Sequence, residues 1–136
     1  MKRHEQLQDL SREHHLALKL ALLARRALES REVPQIQAAA TTCAKAFVSD
    51  LEPHFVREES DVLPLLAQAG ETALVERTLN EHDEMRRLAA QLDLPAADPA
   101  TLQRFGELLG AHVRFEEHEL FEVAQRHLTA DDKAND

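Results

Sequence analysis

Two short segments of the sequence carry the same pattern, a histidine followed four residues later by a glutamate. They are His54-x-x-x-Glu58 and His112-x-x-x-Glu116. Residues four apart lie on one face of a helix. In both segments that face also carries apolar side chains at helical spacing, so these polar groups point toward a core. Ionisable groups in a core are costly unless they are paired or bind a metal. The repeated pattern therefore predicts a buried functional site.

Length and composition predict one domain built of long helices. The chain has 136 residues, with three glycines, five prolines and no Trp or Tyr. The net charge of -9 argues against a nucleic-acid or anionic-membrane partner. No segment is long and apolar enough to span a membrane, and no signal-peptide core is present, so we expect a cytoplasmic location. The single cysteine, Cys43, is expected to be a buried free thiol.

Helical periodicity predicts four long helices. They cover about residues 5–30, 34–68, 72–92 and 99–128. Short connections favour an all-α, up-down-up-down antiparallel four-helix bundle. The bundle is expected to span residues 1–128, with a polar, disordered tail over 129–136.

Prolines mark two features of these helices. Pro53 and Pro64 lie inside the second helix, where an interior proline bends the chain. The alternative is two shorter helices that meet at Glu52. Before the fourth helix, Asp98-Pro99 predicts an N-cap followed by a proline in the first helical position.

The chain is an internal repeat of two helical hairpins. Each hairpin has a lone histidine on its first helix and His-x-x-x-Glu on its second. The candidate metal ligands are His14, His54 and Glu58 in the first hairpin and His82, His112 and Glu116 in the second, with His15 an alternative to His14. Alignment on His14 and His82 matches more apolar positions than alignment on His15, so His14 is favoured. Without a cation, two buried carboxylates would be strongly destabilising.

The donor set indicates the metal. A structural zinc site takes four ligands, usually including thiolates, and the six nitrogen and oxygen donors here exceed that number. Imidazole and carboxylate suit iron or manganese, and two carboxylates can each bridge a metal pair. The simplest count is two iron ions bridged by both glutamates and by an oxo or hydroxo group. A ferritin-like di-iron site needs Glu-x-x-His, which no histidine here satisfies.

Four motifs resemble those of the hemerythrin-like (HHE cation-binding) domains of bacteria. They are EHHLAL, PHFVREESDVLP, NEHDEMRRL and HVRFEEHELF, and the resemblance spans about residues 5–127. It implies a four-helix bundle that holds a non-haem di-iron centre. It further implies that His14, His54, His82 and His112 are terminal ligands and that Glu58 and Glu116 bridge the metals.

The resemblance leaves several functions open. The family includes oxygen carriers, oxygen or redox sensors, and proteins that handle iron, peroxide or nitric oxide. We expect a di-iron protein that engages O2, NO or peroxide in a redox, sensing or protective role. The alternatives are an enzyme that consumes peroxide or NO, and an iron-handling or sensing module. Oxygen-carrying hemerythrins have a fifth histidine where this chain has Arg86, so reversible oxygen carriage is not expected.

The sequence also suggests which residues surround the ligands. Asp61 and Glu119 lie seven residues beyond His54 and His112 on the same helix face, so they are candidate outer partners or spare ligands. Other nearby polar residues are expected to face solvent. These are Glu59, Glu117, His118, His4 and His127.

Overall fold

The computed structural model describes residues 2–135, and nearly all of them are helical. In chain order the elements are α1 (Glu5–Ser30), α2 (Val33–Ala46), the π-helical segment π1 (Phe47–Leu51), α3 (Glu52–Asp61), α4 (Leu63–Gln68), α5 (Thr72–Leu92), α6 (Pro99–Phe115), the π-helical segment π2 (Glu116–Leu120) and α7 (Phe121–Asn135). None of the described residues forms a strand.

These elements make four rods: α1, then α2 through α4, then α5, then α6 through α7. The first rod packs against the second and fourth, and the third packs against the same two. Consecutive rods are joined by short turns, so they run antiparallel. The predicted all-α antiparallel four-helix bundle is confirmed.

The second rod differs from the predicted single helix. The alternative of two shorter helices that meet at Glu52 is met in part: α3 begins at Glu52, directly before Pro53, but π1 joins it to α2 without a break in the helical chain. Within π1 the Glu52 N–H donates to the Phe47 carbonyl, five residues back. This wider turn suits a position where the proline has no N–H and its ring crowds the preceding turn. The rod is interrupted at Val62, two residues before Pro64, so the helix predicted to reach Gln68 is divided.

The fourth rod begins as predicted and ends later. The Asp98 side chain accepts a hydrogen bond from the Ala100 N–H at 2.9 Å, and Pro99 follows it, which confirms the predicted N-cap. The predicted end at about Leu128 is wrong, because α7 continues to Asn135 through most of the expected disordered tail. His4 contacts Asp132 at 2.7 Å and pairs this last turn with the start of the chain. Asp136 lies outside the described residues, and the domain limits stay a prediction.

Two apolar clusters fill the bundle on either side of a polar layer. The first cluster includes Leu20, Ile36, Phe47, Phe55, Met85, Leu102, Phe105 and Leu109. The second includes Leu7, Leu10, Val62, Leu66, Phe115, Leu120 and Phe121. Burial of each such side chain contributes about 1.5–3 kcal/mol. The rods are therefore fixed in position above and below the polar layer.

Gly106 allows α1 and α6 to approach closely. A Cβ atom at this position would lie 3.1 Å from the Ala24 Cβ. A contact this short would require Ala24 or its helix to shift by a few tenths of an ångström. The small residues at this crossing therefore set the spacing of the two rods that carry His14 and His112.

The structure also tests two predictions made from composition. Cys43 is fully buried and free, as predicted, and burial raises the pKa of its thiol to about 11. Over residues 2–135, no helix has the length and apolar character needed to cross a membrane. The cytoplasmic location stays a prediction.

Candidate metal centre

Six polar side chains converge in the layer between the two apolar clusters. They are His14 on α1, His54 and Glu58 on α3, His82 on α5, His112 on α6 and Glu116 at the start of π2. Each is at most 4% exposed. The structure thus brings together all six residues favoured by the sequence. His15 is exposed and points away from the cluster, so the structure favours His14 over the alternative.

The Nε2 atoms of all four histidines face the two glutamates. His54 and His82 lie on either side of Glu58, with Nε2 to carboxylate oxygen distances of 3.1 and 3.0 Å. His14 and His112 flank Glu116 in the same way, at 2.8 and 3.0 Å. Because His54 and His82 also lie 3.8 Å from Glu116, one carboxylate is within reach of every imidazole.

These donors form two overlapping groups. The first contains His14, His54, Glu58 and Glu116, and the second contains Glu58, His82, His112 and Glu116. Within each group one donor atom per residue lies within 4.8 Å of all the others. Both groups contain both glutamates. The geometry therefore offers two overlapping sets of metal-binding donors that share both carboxylates.

Unsatisfied buried atoms support a metal at these positions. His54 Nε2 lies 3.1 Å from Glu58 Oε2, and His112 Nε2 lies 3.0 Å from Glu116 Oε2, but neither buried pair has the geometry of a hydrogen bond. A polar atom left unpaired in a core costs about 1–3 kcal/mol. All four atoms are suitable ligands for a cation, and they point into the same space. The residues present thus fit a metal centre.

In the metal-free protein, protons can replace the cations. Burial lowers the pKa of an imidazole, but the carboxylates of Glu116 and Glu58 outweigh this effect and raise the pKa of His54 to about 11. The same balance raises the pKa of His82 to about 9 and that of His112 to about 10. Burial would raise the pKa of Glu116, but His112 and His14 hold it well below its usual range. Protonated imidazoles therefore offset part of the cost that two buried carboxylates were expected to have without a cation.

A second set of carboxylates contacts the outer nitrogen, Nδ1, of each of the four histidines in the cluster. The Nδ1 contacts are His14 to Glu117 at 2.8 Å, His54 to Glu13 at 2.7 Å, His82 to Glu59 at 2.7 Å and His112 to Glu81 at 2.6 Å. In each case the carboxylate lies on a different rod from the histidine, so the four contacts form a closed ring around the bundle. Metal-bound histidines characteristically donate their second N–H to a carboxylate in this way.

This ring corrects two predictions made from the sequence. Glu59 and Glu117 were expected to face solvent, but both are half-buried and hold a histidine. Asp61 and Glu119 were expected to support the ligands, but both are exposed. Glu119 instead pairs with Arg77 at 3.4 Å. A residue seven positions from a ligand lies two turns away along the helix, too far to reach the same layer.

The sequence does contain a signal for the four carboxylates that contact the outer histidine nitrogens, because each of them occupies a position that recurs in both hairpins. Glu13 and Glu81 each precede the histidine of a first helix, and Glu59 and Glu117 each follow the glutamate of a second helix. A one-residue step turns about 100° around a helix, which moves the side chain from the inner face to the border with the next rod. There it meets the outer nitrogen of the neighbouring histidine.

The other nearby histidines lie apart from the centre. His4 caps α1 by accepting a hydrogen bond from the Gln6 N–H through Nδ1. His127 lies 3.5 Å from Glu71, and His118 is exposed. The prediction that His118 faces solvent is confirmed, whereas His4 and His127 are partly buried.

The two halves of the centre are packed differently. On the His82 side of the centre Met85, three residues after His82, is fully buried, and Phe55 of the first hairpin stacks on His82 with ring centroids 4.0 Å apart. The residues at the corresponding positions of the other half are smaller. Ala17 corresponds to Met85, and Val113 corresponds to Phe55. The smaller pair leaves room beside His14 that is filled beside His82.

A cavity of about 80 Å³ occupies this room. It is lined by Glu13, His14, Leu16, Ala17, Asp50, Leu51, His54, Phe55, Leu109, His112, Val113 and Glu116. Asp50 is exposed and Glu13 is half-exposed, so they lie at its solvent side. A water molecule takes about 30 Å³ of the liquid, so the cavity admits only a very small ligand.

Fold and site together define a class of protein, a four-helix bundle with a buried cluster of histidines and carboxylates at its centre. The sequence model of the hemerythrin HHE cation-binding domain matches residues 6–124. The chain belongs to this family and is a metal-binding module. Comparisons with curated proteins and with solved structures gave no significant match.

Proposed function

We propose that this protein holds two iron ions and uses them to engage a small ligand, O2, NO or peroxide, in a redox, sensing or protective role. His14 and His54 hold one ion, and His82 and His112 hold the other. Glu58 and Glu116 bridge the two. The observation that carries the proposal is that the two donor groups share both glutamates. One ion alone would leave two imidazoles without a role.

The donor chemistry favours iron. Neither donor group contains a thiolate, since Cys43 lies in the first apolar cluster, and six donors exceed what a closed tetrahedral zinc site uses. Imidazole together with carboxylate suits iron or manganese. When bound, iron supplies redox chemistry and coordination positions left open by the protein.

The protein's own residues control access to the centre. The cavity is lined by both histidines of one ion position, His14 and His54, but by only His112 of the other, so a small ligand has more room beside the first position. Phe55 and Met85 fill the corresponding space beside the other position and exclude water from it. We therefore assign ligand entry to the half of the centre that contains Ala17.

Arg86 does not replace the fifth histidine of the oxygen carriers. Its guanidinium lies 2.8 Å from Glu52 and 3.0 Å from Glu59, at the edge of the bundle. The chain therefore offers four imidazoles to two metals. Reversible oxygen carriage is not part of this proposal.

Replacing Ala17 with Met is expected to separate metal binding from ligand binding. The longer side chain fills the cavity as Met85 fills the other half, so the variant should keep its metal but respond at least tenfold more weakly to NO or peroxide, about 1.4 kcal/mol of lost binding. The measurement is an optical titration of the iron-loaded protein with each ligand, alongside metal analysis.

The matched control is Ala38→Met, at an exposed helical position remote from the cavity. It should titrate like the native protein. An Ala17→Met variant that keeps its metal and its full ligand response would contradict entry through the cavity. A native iron-loaded protein that responds to none of O2, NO and peroxide would contradict the proposed role.

A further inference from the structure

Every carboxylate that holds a histidine is itself held by an arginine. The ion pairs are Arg3 with Glu117 at 3.6 Å, Arg57 with Glu13, Arg77 with Glu81 at 3.1 Å and Arg86 with Glu59 at 3.0 Å. Each glutamate thus lies between an imidazole inside the bundle and a guanidinium outside it. The same arrangement of histidine, glutamate and arginine is found around all four histidines of the centre. A chance set of surface ion pairs would not produce this regularity.

Two of the arginines share a helix with the histidine that they support. Arg57 follows His54 by three residues on α3, and both contact Glu13 of α1. Arg86 follows His82 by four residues on α5, and both contact Glu59 of α3. In both cases the histidine and the arginine of one helix contact the same glutamate on the neighbouring helix. These two contacts restrict rotation of the carboxylate.

Arg86 contacts three carboxylates, more than any of the other three arginines. Besides Glu59 it contacts Glu52 at 2.8 Å and Asp83 at 3.1 Å, and its side chain is 28% exposed. Stability alone does not explain why one of these contacts is made to a carboxylate that holds a histidine, because an isolated surface ion pair contributes little to stability. Of the three carboxylates that Arg86 contacts, Glu59 is the one that also accepts the outer N–H of His82.

The contact between Arg86 and Glu59 can affect how His82 binds a metal. A carboxylate that accepts the outer N–H of a metal-bound imidazole orients the ring and makes it a stronger donor to the metal. A guanidinium on the same carboxylate draws charge away from it and so weakens that donation. The two partners therefore act on the histidine in opposite directions.

We propose that Arg86 and Arg57 are positioning residues of the metal centre, acting through Glu59 on His82 and through Glu13 on His54. Each arginine fixes the ring plane of its histidine and limits the electron donation of the imidazole. Since His54 and His82 belong to different donor groups, both metal positions are affected. This inference rests on the proposed iron centre.

The test compares Arg86→Gln with Glu59→Gln in the iron-loaded protein. Both should bind iron about tenfold more weakly than the native protein, because Glu59→Gln removes the carboxylate that holds His82 and Arg86→Gln removes the guanidinium that fixes this carboxylate in position. Their reduction potentials should move in opposite directions. Without Arg86 the carboxylate donates more strongly and the potential falls, whereas an amide at position 59 donates less and the potential rises. A general loosening of the fold would not give opposite signs.

Two further variants complete the experiment. Arg104 pairs with Glu84 across α6 and α5 at 2.9 Å, in an ion pair that touches no histidine, so Arg104→Gln should match the native protein. Arg86→Lys keeps the charge and should recover part of the native potential. If Arg86→Gln has native affinity and potential, the inference is overturned while the metal centre stands. A native protein that binds no iron would overturn both.

Discussion

Removing the metal with a chelator is expected to lower the Tm of the protein, and to lower it more at about pH 9 than at about pH 6. The folded state binds the metal and the unfolded state does not, so the lost binding energy is lost stability. If the lost binding energy is several kcal/mol, the Tm of a chain of this size should fall by on the order of 10 °C. Thermal melts followed by circular dichroism, with and without chelator, measure it.

The pH dependence follows from the histidines. In the metal-free fold, the pKa values of His54, His82 and His112 lie at about 11, 9 and 10, above the ordinary value of 6.5. The stability contributed by their protonation is fully present below about pH 6.5 and is lost as the pH rises through these values. Protons also compete with the metal at low pH. Equal melting with and without chelator at both pH values would contradict a buried metal site.

Replacing Glu58 and Glu116 together with Gln is expected to abolish metal binding. An amide is a weak metal ligand and cannot bridge two cations, while its size is nearly that of the glutamate it replaces. The variant should remain helical, because the apolar clusters on both sides of the layer are unchanged. Its melting should no longer respond to chelator. Metal analysis and the same thermal melts provide the measurement.

Asp61 and Glu119 supply the matched control. They are exposed carboxylates on α3 and π2, the same elements that carry Glu58 and Glu116. The double variant Asp61→Asn with Glu119→Gln removes the same charge but should retain the native metal content. Retention of metal by the Glu58→Gln and Glu116→Gln variant would show that the carboxylates do not bridge the centre.

The fold and the six converging side chains could be predicted because they depend on patterns within single helices. Helical spacing placed His54 and Glu58 on one inner face, and the repeat placed His112 and Glu116 on another. The choice of His14 over His15 depended on aligning the two hairpins. These steps use only the position of a residue around its own helix axis and the comparison of one hairpin sequence with the other.

Features that depend on contacts between helices could not be predicted in this way. Glu59 and Glu117 were expected in solvent, because a helix pattern does not show which neighbour lies at the border of the inner face. Pro53 and Pro64 marked where the second rod is disturbed, but neither the prolines nor the apolar spacing showed that the chain would form π1 or be interrupted at Val62. The cavity results from differences in side-chain size across the repeat, Ala17 against Met85, and becomes visible only when both halves are packed.

The metal content of a single chain tests the central claim most directly. Protein loaded anaerobically with ferrous iron and freed of excess metal should contain two iron ions per chain, because the two donor groups each offer four ligands and share Glu58 and Glu116. Elemental analysis against protein concentration gives this ratio. One metal ion per chain in a tetrahedral site, or none after loading, would contradict the account.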